Sequence, residues 1–277
     1  MMKIENHKLK SVEGDFDILY QETSNHSNKF ATALPDTIVI HYTAGSSLQS
    51  SADWLCNHDA QASAHIIVGK KGKIIQLAAF DTITWHAGIS QWNERKNLNK
   101  FSIGIEIDNA GLLEKRADGY YTHFGEKVKE SNVVIAKHKF DQEEKAWEAF
   151  TQEQIKVVEK ICFILKEQYN IIEIVGHDDI APERKRDPGP AWPLRKLKET
   201  ILYGRKDDNS DQITNLSKGI VTADYLNIRS KPSAQSSKVT DPIPKGTKLK
   251  ILETKGDWSY VKVEIEGWVS KKWLKTF

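Results

Sequence analysis

Gly176-His177-Asp178-Asp179-Ile180-Ala181-Pro182-Glu183-Arg184-Lys185-Arg186-Asp187-Pro188-Gly189-Pro190 places a histidine, a lysine and an aspartate on one loop stiffened by proline and glycine. The loop follows an apolar run, Ile171-Ile172-Glu173-Ile174-Val175, that reads as a strand. A second histidine, His41, ends another such run, Thr37-Ile38-Val39-Ile40. Strand ends and rigid loops hold side chains in fixed positions. Two imidazoles and a carboxylate held this way can bind zinc with three ligands and an open fourth position, the arrangement a hydrolytic zinc needs.

Strands and helices alternate around these two segments. Ala64 to Val68 and Ile74 to Leu77 flank Lys70-Lys71-Gly72-Lys73 and predict a hairpin. Ser102-Ile103-Gly104-Ile105-Glu106-Ile107-Asp108 alternates strictly, with the isoleucines on one face and Gly104, Glu106 and Asp108 on the other. Thr151-Gln152-Glu153-Gln154 is a capping-box sequence. Ile155, Val158, Ile161, Cys162, Leu165 and Tyr169 follow at helical spacing, predicting a helix to about Gln168. Further helices are expected near Ser50 to Asn57 and Pro193 to Leu202. This pattern predicts an α/β fold, a central mixed β-sheet flanked by helices. Residues 112–149 are charged and without clear periodicity, and read as a long insertion or lid. Apart from Trp85 and Trp192, most of the eight tryptophans are expected in the core.

The polar run 204–216 reads as a linker between residues 1–203 and a small domain at 217–277. Four or five short alternating strands in that tail predict a small all-β SH3-like barrel. The tail carries 12 basic and 6 acidic residues, a net +6; with a chain total of +2, the rest carries −4. That asymmetry suggests an anionic surface as partner. No basic helix or nucleic-acid motif accompanies it, so nucleic acid is not expected. No apolar run has membrane-spanning length. Met1 to Gln21 lacks the apolar core of a Sec signal peptide, so a cytoplasmic protein, or one delivered outside by a non-classical route, is expected. Cys56 and Cys162 read as reduced thiols.

A zinc-bound water needs a base, and Glu106, on the polar face of a central strand, is the candidate. Lys185 lies two residues before Asp187, so an extended loop would point both into one site, with Arg184 and Arg186 facing elsewhere. His65 and His86 are placed either to contact substrate or to stand behind the ligands, and Trp85 to line a groove.

The ordered segments Val39 to Gly45, Ser63 to Ile66, Thr84 to Gly88, Ser102 to Glu106 and Gly176 to Pro190 closely resemble zinc-dependent N-acetylmuramoyl-L-alanine amidases of type 2. The resemblance implies His41, His177 and Asp187 as zinc ligands, with Glu106 and Lys185 as catalytic partners. It implies cleavage, in peptidoglycan or muropeptides, of the amide joining the lactyl group of N-acetylmuramic acid to L-alanine. A non-catalytic peptidoglycan-binding protein on the same fold is the alternative; such proteins typically lack a zinc ligand, and here all three are present. The tail resembles bacterial SH3-type domains through Leu226-Asn227-Ile228-Arg229 and Gly267-Trp268-Val269, which implies binding to anionic cell-wall polymer.

Overall fold

The computed structural model describes residues 1–203, 218–255 and 258–263. The chain forms two compact units, Met1–Lys206 and Asp207–Phe277. The first is built on a six-stranded sheet in the order Glu173–Gly176, Thr37–Tyr42, Ser102–Ile107, Ile66–Val68, Ile74–Gln76, Ile18–Tyr20. The first four strands run parallel; Ile66–Val68 and Ile74–Gln76 form the expected antiparallel hairpin, so the sheet is mixed.

The two-residue pleat separates core from site. Ile38, Ile40, Ile103, Ile105, Ile107 and Ile174 point to one face and pack against Val158, Ile161, Cys162 and Leu165 of helix α2 (Gln152–Gln168). Each such fully buried side chain contributes roughly 1.5–3 kcal/mol. The intervening residues Val39, His41, Gly104, Glu106 and Val175 take the opposite face. Helices α1 (Leu48–Cys56), α3 (His177–Ile180) and α4 (Leu194–Tyr203) complete the unit. The N-terminal segment is part of the fold: Met2–Glu5 pairs with Lys8–Ser11, and Met2 and Leu9 enter the main core.

Helix α2 begins with the expected capping box. Thr151 Oγ1 accepts from the Gln154 backbone N–H at 3.1 Å, and Gln154 Oε1 accepts from the Thr151 N–H at 3.0 Å. The same groups tie the helix to the sheet. Gln154 Nε2 donates to Asp108 O at 2.8 Å, beyond the Ser102–Ile107 strand, and Thr151 Oγ1 donates to Lys70 O at 2.7 Å.

The insertion 112–149 corrects the sequence expectation of an irregular segment. Glu114–Arg116, Gly119–Tyr121 and Lys127–Val128 form a three-stranded sheet, and Val133–Lys137 pairs with Glu144–Glu148. Its strands, two to five residues long, are too short to show alternation; pairing and a small cluster around Leu113, Ala146 and Val133 hold them. Of the tryptophans expected in the core, Trp147 is buried, whereas Trp54 on α1 is 59% exposed; Trp192, set apart from them, is buried as well.

In the second unit Lys218–Ile220, Lys248–Lys255 and Trp258–Val263 form an antiparallel sheet, and Tyr225–Leu226 pairs with Ile243–Pro244. The predicted linker 204–216 and the predicted closing strand near 267–274 lie outside the described residues.

Thr151→Ala removes the cap and the bond to Lys70 together. It should destabilise the first unit by about 1–2 kcal/mol, read as a lower urea midpoint with an unchanged slope; an unchanged midpoint would refute the cap's role.

Candidate metal centre

The parallel strands end together, and the site lies at their carboxyl ends, where open α/β sheets place ligands. His41 and Glu106 are direct neighbours across the Thr37–Tyr42 and Ser102–Ile107 pair. Gly176 pairs with Ile40, so His177, the next residue, arrives beside His41. The loop after α3 brings Asp187 back, and the Asp178 N–H donates to Asp187 O at 2.7 Å to close it.

His41 Nδ1, His177 Nδ1 and Asp187 Oδ2 form a nearly equilateral triangle with sides of 2.9, 2.9 and 3.0 Å. All three residues are buried. Hydrogen bonds on the far side of each ring set its tautomer. His177 Nε2–H donates to Ala87 O at 3.2 Å, leaving a lone pair on Nδ1. His86 Nε2–H donates to Ser102 O at 3.2 Å, so its Nδ1 accepts from His41 Nε2–H at 3.0 Å. That leaves a lone pair on His41 Nδ1 as well. Three lone pairs with no proton among them converge within 3 Å, a donor set that fits a divalent cation.

The charge states agree. Burial, with His177 close by, lowers His41 to about 4, so the ring is neutral at physiological pH. Burial alone would raise Asp187, but the His177 and His41 rings beside it outweigh that and hold the carboxylate well below its usual range. Glu106 behaves oppositely: burial first, then the charge of Asp187, raise it to about 8. Its Oε2 is buried without a hydrogen-bond partner. The Lys185 ammonium is near enough to lower the proton affinity of both His41 and Glu106.

Glu106, His177, Lys185 and Asp187 line a cavity of about 390 Å³ with Tyr42, Ser63, Trp85 and His86. It shares Thr43, Ala44, Leu55 and Glu106 with a second cavity of about 350 Å³ beside the exposed Trp54, so the two adjoin and together outline the groove. A larger cleft of about 610 Å³ shares no lining residue with the first; its charged groups include the Lys29–Asp81 pair at 2.6 Å and Lys8 over the Tyr20 ring.

Two sequence expectations are corrected here. His65 does not reach the groove. It is fully buried, its Nδ1 accepts from the Gly104 N–H and the Thr84 hydroxyl at 3.0 Å, and its Nε2–H donates to Thr82 O at 2.8 Å. It is a neutral structural ring, lowered by burial to about 4, and has no nitrogen left for substrate. Arg184 and Arg186 line the cavity as Lys185 does; the chain turns at 182–184, so strict alternation does not hold across the three. Arg184 bridges to Ala87 O and Ile89 O at 3.1 and 3.0 Å. Trp85 lines the cavity and is fixed by its Nε1–H donating to Ser27 Oγ at 2.9 Å. His86 lies behind His41 as well as along the cavity wall. The sequence reading missed what Gly104 does: a Cβ there would collide with the His86 ring. A lone glycine in a strictly alternating strand was the available signal.

A family described as N-acetylmuramoyl-L-alanine amidase matches residues 31–190, and one described as bacterial SH3 domain matches residues 224–275. Over 185 residues the chain is 30% identical to N-acetylmuramoyl-L-alanine amidase AmiD of Escherichia coli, covering 64% of this chain and 57% of that protein. Over 143 residues it is 31% identical to 1,6-anhydro-N-acetylmuramyl-L-alanine amidase AmpD of Escherichia coli, covering 51% and 59%. These matches span less than two thirds of either relative's length. A crystal structure of an AmpD derivative shares the fold at a TM-score of 0.51 and 21% identity, covering 72% of this chain and 99% of that one.

The purified protein is expected to hold about one divalent metal per chain. Asp187→Ala should reduce this nearly to zero, and His86→Ala should weaken binding roughly tenfold to a hundredfold. Elemental analysis and chelator competition check both; full occupancy in Asp187→Ala would remove that residue from the donor set.

Proposed function

The chain belongs to the N-acetylmuramoyl-L-alanine amidase family, and from that premise we propose that it is a zinc hydrolase cleaving the bond between N-acetylmuramic acid and L-alanine in peptidoglycan or muropeptides. The observation that carries this reading is the convergence of three unprotonated donor atoms beside the unpartnered Glu106 Oε2 in an open groove. A complete donor set supports a hydrolase over a protein that only binds.

His41, His177 and Asp187 would hold the zinc, which when bound supplies Lewis acidity and a water acidified to a pKa of about 7. Glu106 takes the proton of the attacking water and passes it to the departing L-alanine nitrogen. A carboxyl raised to about 8 holds a transferred proton well enough to deliver it, and the charge of a bound cation would bring it back toward neutrality. Lys185 faces the negative charge that grows on the carbonyl oxygen. Arg184 and Arg186 give that side of the groove a positive charge suited to the carboxylates of a peptide stem. Trp54 and Trp85 offer apolar faces at the groove wall, suited to a sugar ring.

We assign residues 1–203 to the hydrolase domain, 204–216 to a linker and 217–277 to the SH3-like domain, whose +6 charge favours anionic cell-wall polymer. Among the described residues no helix is long and apolar enough to cross a membrane.

Glu106→Gln should keep the metal and lose about a hundredfold or more in kcat. Wild type should release peptides with a free L-alanine amino terminus and leave the glycan uncut; new reducing sugar ends would show a glycosidase instead. Mass spectrometry of the products decides between them.

Truncation after residue 203 should spare activity on soluble muropeptides and reduce sedimentation with sacculi. In the full chain that sedimentation should fall with salt, as the screening length drops from about 10 Å at 0.1 M to about 3 Å at 1 M. Equal loss on soluble and insoluble substrates would overturn the anchoring role.

A further inference from the structure

The insertion makes a set of contacts that the proposed chemistry does not use. His138 and Asp178 are both buried, and His138 Nε2 lies 2.9 Å from Asp178 Oδ2. His138 Nδ1 accepts from the Phe140 N–H at 3.2 Å, so Nε2 carries the proton and donates it to the carboxylate. Lys139 Nζ donates to Asp178 Oδ1 at 2.9 Å and to Asp179. Farther along the loop, Asp141 Oδ1 lies 3.4 Å from Arg186 Nε. Trp147, stacked on His138, covers Gly189, where the chain has φ +71° and a Cβ would meet the indole at 3.0 Å. Four residues of the 133–148 hairpin therefore hold the loop along its length, from Asp178 to Gly189.

The position of Asp178 gives these contacts their consequence. It follows the donor His177 directly, and its own N–H closes the loop onto the carbonyl of the donor Asp187. Its side chain is turned away from the donor triangle, toward the hairpin. A carboxylate buried to this degree is costly without partners, and His138 and Lys139 are the partners it has. The loop is thus fixed from behind by groups remote in sequence.

We infer that the 133–148 hairpin is a brace that sets the metal affinity of the site, with His138 and Lys139 as positioning residues acting through Asp178. The segment is then no lid. This rests on the reading that His41, His177 and Asp187 hold a metal, which supplies the loop's load; the bracing itself is a property of the protein alone. Donor atoms preset near their bound geometry lose little conformational entropy on binding, and loosening the loop returns that cost to the binding step.

The test measures metal dissociation constants by competition with a chromophoric chelator, and amide exchange of the metal-free protein. His138→Ala should weaken metal binding about tenfold to a hundredfold, and His138→Gln, which keeps a donor, should recover most of the loss. Lys139→Met, at a half-exposed position that does not threaten the fold, should weaken binding by a smaller factor. The double variant His138→Ala/Asp178→Ala should be no worse than Asp178→Ala alone, since both break one connection. In His138→Ala the Asp178 amide should exchange faster while amides of helix α2 keep their protection. Unchanged metal affinity in both His138→Ala and Lys139→Met overturns the inference, as does unchanged exchange at Asp178. If wild type binds no metal, the metal reading fails separately, and exchange at Asp178 still decides whether the hairpin braces the loop.

Discussion

Three acceptor atoms that face one another across 3 Å in a buried space need a cation or a proton among them, and much of this unit is arranged around that constraint. Each imidazole has its outer nitrogen engaged with an acceptor, which forces the lone pair inward. One of those acceptors is His86, itself oriented by Ser102 O and seated on the bare backbone of Gly104. The chain of orientation thus runs from strand backbone through two rings to the donor triangle. Removing the outer partner of a donor leaves its tautomer unset, even with the ligand itself still present.

The sheet makes this arrangement possible through its pleat. One face of the central strands supplies the isoleucines that pack on α2, and the other supplies His41, Gly104 and Glu106. Packing and chemistry are therefore separated by a single residue step along the same strands. A one-residue slip in register would exchange them, and the desolvation of His41 and Glu106 inside an apolar core would oppose it strongly. The capping contacts of Thr151 and Gln154 reinforce that register, because they join the start of α2 to Lys70 and Asp108, beyond the ends of two strands.

Two carboxyl groups in one site are driven in opposite directions. Asp187 lies beside two imidazoles that hold it ionised; Glu106 is enclosed, lacks a partner on Oε2 and holds a proton more tightly. Environments that separate two carboxyls in this way suit one to binding a cation and the other to moving a proton. The cavities continue this division: Arg184, Lys185 and Arg186 line the first, and Trp54 lines the second.

The amino-acid sequence by itself determined the elements whose signal lies within a few residues. The alternation of Ser102 to Asp108, the Gly-turn hairpin at 64–77 and the capping box at Thr151 depend only on backbone pitch and neighbouring side chains, so each was legible locally. The structure also brings His41 and His177 together across 136 residues, as the motif order implied. Tertiary structure alone decided what those side chains face. His65 and His86 look alike in sequence, yet one is enclosed by Gly104, Thr84 and Thr82 while the other supports His41. The short strands of the insertion carried no periodic signal, and the contacts of its hairpin with Asp178 and Gly189 join segments about 40 residues apart. The physical reason is common to these cases. A periodic pattern records which face of an element is buried, but a hydrogen-bond partner exists only once distant segments have met.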